Sequence, residues 1–225
     1  MRRRVLLLGG LALLAVAIVA VVVVVAGGGE EDKPPPPAAA AKKPVPENGV
    51  VLGNPRAPVT LVEYADPQCP FCAEYSRNAL PGIVERYVRP GKVRLELRLL
   101  HFLGQDSTRL ARVAATASTH DRMWQFMDAV YETQGEENSG YATDAYIGQQ
   151  LAAAGLDSTK VLAEVRQGKG AGLLDDWGKS AKAEGVNATP GFLVGLTGDK
   201  LEQFEPQSLT AEAFAPKLDE LLAGG

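Results

Sequence analysis

The stretch from Val59 to Cys72 constrains this chain more than any other. Val59-Thr60-Leu61-Val62-Glu63-Tyr64 is short, β-prone and bounded by Pro58 and Asp66-Pro67, so it reads as a buried strand running into a turn. Cys69-Pro70-Phe71-Cys72 follows at once. Pro70 suits the first turn of a helix, where the N–H it lacks would have no partner, and helical patterning continues to about Val88 with an interruption at Pro81-Gly82. A strand, a turn and a kinked helix are expected, with both cysteines at the junction. Val93, Leu95, Leu97 and Leu99 then alternate with Arg94, Glu96 and Arg98, the period of two that marks a second strand. Strand, helix and strand in this order make a parallel crossover unit.

From about Gln105 to Glu184 the sequence is helix-like throughout. Leu110, Val113, Ala114 and Ala117 recur at helical spacing, and Trp124, Met127, Val130 and Tyr131 form a further face. This predicts a helical insert over about 105–170, followed by a long helix ending at Gly185. Leu193–Leu196 and Leu201–Phe204 flank Thr197-Gly198-Asp199-Lys200, a hairpin signal, and a last helix carries Phe214, Leu218, Leu221 and Leu222 on one face. An α/β domain over 49–225 with an inserted α-helical subdomain is the expected architecture.

The N-terminus is of another kind. Arg2-Arg3-Arg4 precede an uncharged apolar run from Val5 to Ala26. As a helix it would be about 33 Å long, enough for a hydrocarbon core of roughly 30 Å, and the arginines would stay on the cytoplasmic side. A transmembrane signal-anchor over 1–26 is expected; a cleaved signal peptide, with Ala15-Val16-Ala17 as the small-residue site, is the competing reading. Both put the domain outside the cytoplasm, where dithiols can be oxidised. Residues 27–48, with Pro34 to Pro37 and an alanine run, offer almost nothing to bury and read as a disordered, partly polyproline spacer.

Only two cysteines occur in 225 residues. A bridge between positions i and i+3 closes a very short loop and constrains the unfolded chain little, so a structural staple is a poor reason for the pair. A zinc site would have to recruit His101 and His120, whose spacing fits no common zinc module. A thiolate at a helix N-terminus, by contrast, meets unpaired N–H groups and the positive end of the macrodipole, which lower its pKa. Cys69 is placed for attack, and Cys72, one turn on, for resolving a mixed disulfide. Neither a metal nor a bound cofactor is expected. The net charge of −4, with no cluster of Lys and Arg beyond the first four residues, argues against a nucleic-acid partner.

A CxxC between strand and helix, a downstream Thr189-Pro190 before an apolar strand, and a closing hairpin and helix together resemble the thioredoxin superfamily. The helical insert makes the chain similar to its DsbA-like branch. That resemblance implies a nucleophilic Cys69, a resolving Cys72 and a cis-proline at Pro190 preceded by Thr189, in a loop that lies against the disulfide and pairs with substrate backbone. An X-Pro bond makes a fixed cis turn available there at only about 0.5 to 1 kcal/mol. It also implies that Glu63, six residues before Cys69, is a buried acid relaying a proton to or from Cys72; the alternative is a side chain pointing to solvent. Phe71 departs from the pattern. Strongly oxidising members often carry His there, so the thiolate loses a donor, while Phe71 offers apolar contact to unfolded substrates.

The implied activity is thiol:disulfide exchange that introduces disulfides into reduced secreted or membrane proteins. The implied reoxidising partner is a quinone-linked membrane protein of the DsbB or vitamin K epoxide reductase-like kind. A reductase or isomerase with the same residues, and a tethered chaperone or binding module, are the rivals. His101, Trp124 and Trp177 read as structural or packing residues. Asn187-Ala188-Thr189 matches a glycosylation sequon, but bulk there would obstruct the site.

Overall fold

The computed structural model describes residues 44–224. The membrane helix expected over 1–26, and most of the spacer after it, lie outside the described residues. Among the described residues no helix is long and apolar enough to cross a membrane.

Among the described residues six strands form one sheet in the order β1-β2-β4-β3-β5-β6, with β3 (Val59–Ala65) at its centre. It runs parallel to β4 (Val93–Leu99) and antiparallel to β5 (Gly191–Leu196), and β6 (Glu202–Phe204) extends the sheet beyond the hairpin. Every residue of β3 is buried, whereas β4 alternates buried and half-buried positions, as its sequence alternates. The folded unit begins a little before the expected boundary. Glu47–Asn48 (β1) pairs with Val51–Leu52 (β2), and β2 with β4, so the folded unit starts before residue 49.

The crossover from β3 to β4 is the interrupted helix the prolines require. Helix α1 spans Pro70–Asn78 and α2 spans Leu80–Ile83, with Pro81 in the first turn of α2; a single π-helical segment, Val84–Val88, completes the crossover. Helices α3 (Gln105–Ser118), α4 (Met123–Glu132), α5 (Asp144–Ala153) and α6 (Ser158–Arg166) form the insert, and α7 (Ala171–Ala183) returns the chain to the sheet. The N-terminus of α7 lies so close to α3 that a Cβ on Gly170, at φ +78°, would sit 2.7 Å from the Ala115 backbone. Helix α8 (Ala211–Gly224) closes the fold. Its Phe214 packs edge-on to Phe192 of β5, with ring centroids 5.0 Å apart, and both rings touch Tyr75 of α1.

Alternation along β3 divides the core. Val59, Leu61 and Ala65 join the larger cluster with the interrupted helix and the insert, while Val62 and Tyr64 face Leu100, Ala181 and Leu193 on the other side. Glu63 falls in the first set. The same period that buries Leu61 and Ala65 sends a carboxyl into the main core.

Candidate functional site

The cysteines sit where strand becomes helix. Cys69 is the N-cap of α1, in extended conformation at φ −68° and ψ 119°, and Pro70 follows in the first turn. Both cysteines are free thiols; Cys69 is 4% exposed and Cys72 wholly buried. The Thr189–Pro190 peptide bond is cis, and the Cys69 thiol donates to the Thr189 carbonyl at 3.3 Å. Two segments separated by 120 residues thus meet at one sulfur.

The two thiols are driven apart in acidity. Cys69 is lowered to about 6, chiefly because the Cys72 thiol donates to its sulfur; burial opposes this, and the Thr189 side chain and the N–H groups of Cys72 and Phe71 add to it. Cys72 is pushed well up, first by burial, then by the same hydrogen bond and by the nearby Glu63 and Cys69 charges. The reading from sequence expected the helix N-terminus to do this work. Its N–H groups contribute, but the neighbouring thiol is the larger cause.

Glu63 does not point to solvent. Only 4% exposed, its Oε1 has no hydrogen-bonding partner among the described residues, and burial followed by repulsion from Cys69 raises its pKa from 4.5 to about 8. A carboxyl of that acidity behind a buried thiol is able to exchange a proton near neutral pH.

Phe71 stands out from the surface at 59% exposed and forms one wall of an open groove of about 420 Å³. The groove runs past Thr189 and Pro190 to Phe204, Glu205 and Leu209, and Asn187 of the sequon lines it as well. Its lining includes Thr189, whose carbonyl meets the Cys69 thiol.

Residues that sequence reasoning missed hold this junction in place. The buried Asp66 carboxyl accepts from Gln68 N–H at 2.9 Å, from Leu103 N–H at 3.2 Å and from the Ser107 hydroxyl. The Asp66 carbonyl accepts from Cys69 N–H at 3.0 Å and from the Tyr131 hydroxyl at 3.2 Å. Gln68 donates to Leu103 and Ser107 and accepts from Asn138 N–H at 2.8 Å, and Gln134 donates to the Pro67 and Cys69 carbonyls. The only signal in the sequence was Asp66-Pro67 as a turn. Phe102, on the loop after β4, is exposed at 56% and was also missed. His101, expected to be structural, is exposed beside it with the Thr108 hydroxyl 3.4 Å from its Nδ1, whereas Trp124 and Trp177 are buried, and Trp124 donates to the Val50 carbonyl.

Residues 46–211 match the family model described as Thioredoxin. A protein of Bacillus anthracis named "Probable disulfide bond formation protein D" is 34% identical over 96 residues, which is 41% of this chain and 44% of that protein. "Disulfide bond formation protein D" of Bacillus subtilis is 31% identical over 104 residues, covering 44% and 45%. The match thus spans less than half the length of these relatives. The crystal structure of oxidised BdbD from Bacillus subtilis superposes with a TM-score of 0.67 at 22% identity, over 80% of this chain and 97% of that one. That of Wolbachia pipientis alpha-DsbA1 gives 0.67 at 21%, over 79% and 92%. At such identity the likeness to solved structures is one of fold.

Proposed function

We propose that this chain, which belongs to the thioredoxin family, is a protein-disulfide oxidase that draws electrons from the dithiols of extracytoplasmic proteins into Cys69 and Cys72. One observation carries this reading: the paired thiols are displaced in opposite directions, Cys69 to about 6 and Cys72 well above its ordinary value. Whatever stabilises the Cys69 thiolate stabilises the reduced enzyme, and a stabilised reduced form makes the disulfide the stronger oxidant.

In the oxidising cycle a substrate thiolate attacks Cys69 Sγ of the enzyme disulfide, and Cys72 leaves. Its sulfur is buried and basic, so it takes a proton, for which Glu63 is the donor at hand. A second substrate thiolate then attacks the substrate sulfur of the mixed disulfide and expels Cys69 as thiolate. The substrate has lost two electrons and two protons; the enzyme holds a Cys69 thiolate and a Cys72 thiol. Phe71 and the groove beside Thr189 and Pro190 supply apolar and backbone contacts to an unfolded strand. The thiolate loses the donor that a histidine at position 71 would bring, and the Cys72 thiol and two N–H groups take its place.

Reoxidation requires an acceptor, for which a quinone-linked membrane protein of the DsbB or vitamin K epoxide reductase-like kind fits the family. The apolar run over 5–26, with arginines before it, supports a single-pass anchor holding the domain outside the cytoplasm. Equilibration with glutathione buffers tests the direction of electron flow. An oxidase gives a potential well above that of thioredoxin, roughly −270 mV. A value at or below it, with a Cys69 pKa near that of a free thiol, makes the chain a reductase instead.

A further inference from the structure

Once substrate is disulfide-bonded to Cys69, the front of the site is covered, yet Glu63 must recover the proton it has given to Cys72. A route exists on the other side of the helix. Beside Glu63 lies an internal space of about 20 Å³, bounded by Ser76, Leu80, Trp124 and Asp128 among others. That is room for about one water molecule, and the unpartnered Glu63 Oε1 is a polar group for it to meet. The same four residues also wall an open surface groove of about 330 Å³. They form the partition between interior and solvent.

Helical spacing explains how they come together. Ser76 lies one turn beyond Cys72 on α1, and Asp128 one turn beyond Trp124 on α4, so each pair shares a face. Gln125 adds to the groove a buried Oε1 without a partner among the described residues.

We propose that Glu63 is reprotonated from this rear groove, across the Ser76–Asp128 partition through a water in the internal space, and that Asp128 is the group exchanging protons with solvent. The inference rests on the oxidase reading, in which Glu63 serves Cys72. For each disulfide transferred one proton passes inward, from solvent to Asp128, water, Glu63 and the Cys72 sulfur; it passes outward when the pair is reoxidised. The titratable groups around Glu63 are Cys69, Cys72, Tyr75 and Tyr131. Those around Asp128 are Glu132 on its own helix and, across the groove, Glu85 and Arg89. Burial, then Glu132, raises the Asp128 carboxyl above its ordinary range, which brings it closer to the acidity of the group it serves.

The test is stopped-flow oxidation of a two-cysteine peptide by the full chain, in dilute HEPES and then with added acetate, a small carboxylate able to enter the groove. Asp128→Asn and the space-filling Ser76→Val should each slow the reaction several-fold in dilute HEPES. Acetate should restore Asp128→Asn, Asp128→Glu should stay near the unmodified rate, and the glutathione potential of Asp128→Asn should not move. Glu63→Gln should be slow in every buffer. If Glu63→Gln is slow while Asp128→Asn and Ser76→Val match the unmodified chain, the rear route is wrong and the role of Glu63 stands. If Glu63→Gln is itself as fast as the unmodified chain, the reading beneath the proposal fails.

Discussion

Replacing Glu63 with Gln should make the protein more stable, and increasingly so as pH rises. In the folded chain burial holds this carboxyl at about 8, against an ordinary 4.5. Between those values the unfolded chain has an ionised Glu63 and the native chain a protonated one, so unfolding releases a proton. Because the folded pKa is raised, the contribution of Glu63 to stability is fully present below pH 4.5 and is lost as pH rises through 8. Over about 3.5 pH units, at roughly 1.36 kcal/mol each, the loss approaches ~5 kcal/mol. That is comparable with the whole folding free energy of a small domain, about 5–15 kcal/mol. Glu63→Gln removes the titration but keeps the shape and a neutral polar head. Urea unfolding of the reduced chain at intervals across the window measures the difference directly, and cysteine titration, common to both proteins, largely cancels. The variants should coincide near pH 4.5 and diverge by several kcal/mol near pH 8. Parallel profiles would mean that Glu63 is solvated or hydrogen-bonded in the native state, and its role as a neutral proton donor would go with them.

Three further outcomes follow from the site. Cys72→Ala removes the donor that most lowers Cys69, so the thiolate absorbance of Cys69 near 240 nm should titrate above the value of about 6 in the unmodified protein. In the unmodified reduced chain that depressed pKa stabilises the fold above pH 9.0, an advantage lost as pH falls through 6. Asp66→Asn turns an oxygen that accepts into an amide that donates, facing the N–H of Leu103 or the N–H of Gln68 and the hydroxyl of Ser107, and should cost about 2 kcal/mol in urea unfolding while raising exchange of the Cys69 amide. Glu47, which accepts from Trp124 N–H at 3.0 Å at the start of α4, is raised by burial to about 7. Its contribution is present below pH 4.5 and lost as pH rises through 7, so Glu47→Gln should flatten the thermal midpoint over that window.

What the sequence disclosed and what it hid divide along a physical line. The strand ending at Ala65, the prolines of the interrupted helix and the hairpin at Thr197–Lys200 are local signals, and they were legible. The depth of Glu63 was legible in part: a period of two groups it with Leu61 and Ala65, but whether both faces of β3 are covered depends on elements far along the chain. Two-residue strands such as β1 and β2 have no period to read; β2 exists because β4 offers it an edge, and β1 because β2 does. Asp66 was hidden for a related reason. Its partners Leu103 and Ser107 are 37 and 41 residues away, and Asn138, which completes the network through Gln68, is 70 residues from that residue.

Asp66 and Glu63, three residues apart, show how surroundings assign opposite work to the same functional group. Asp66 is met by three donors and fixes the backbone under Cys69; Glu63 has an orphaned oxygen and a small cavity, and so is left free to gain and lose a proton. The same reasoning bears on Phe71. A histidine there could help hold the thiolate, but the donor this chain uses instead is the Cys72 thiol, which exists only when the pair is reduced. That hydrogen bond vanishes when the disulfide closes. Its whole effect therefore falls on the reduced form, which is the condition for it to raise the oxidising power of the pair. Lacking a histidine at position 71 need not make the protein a reductase, provided Cys72 is kept protonated, and burial, ahead of the Cys69 hydrogen bond and the Glu63 charge, holds its pKa well up.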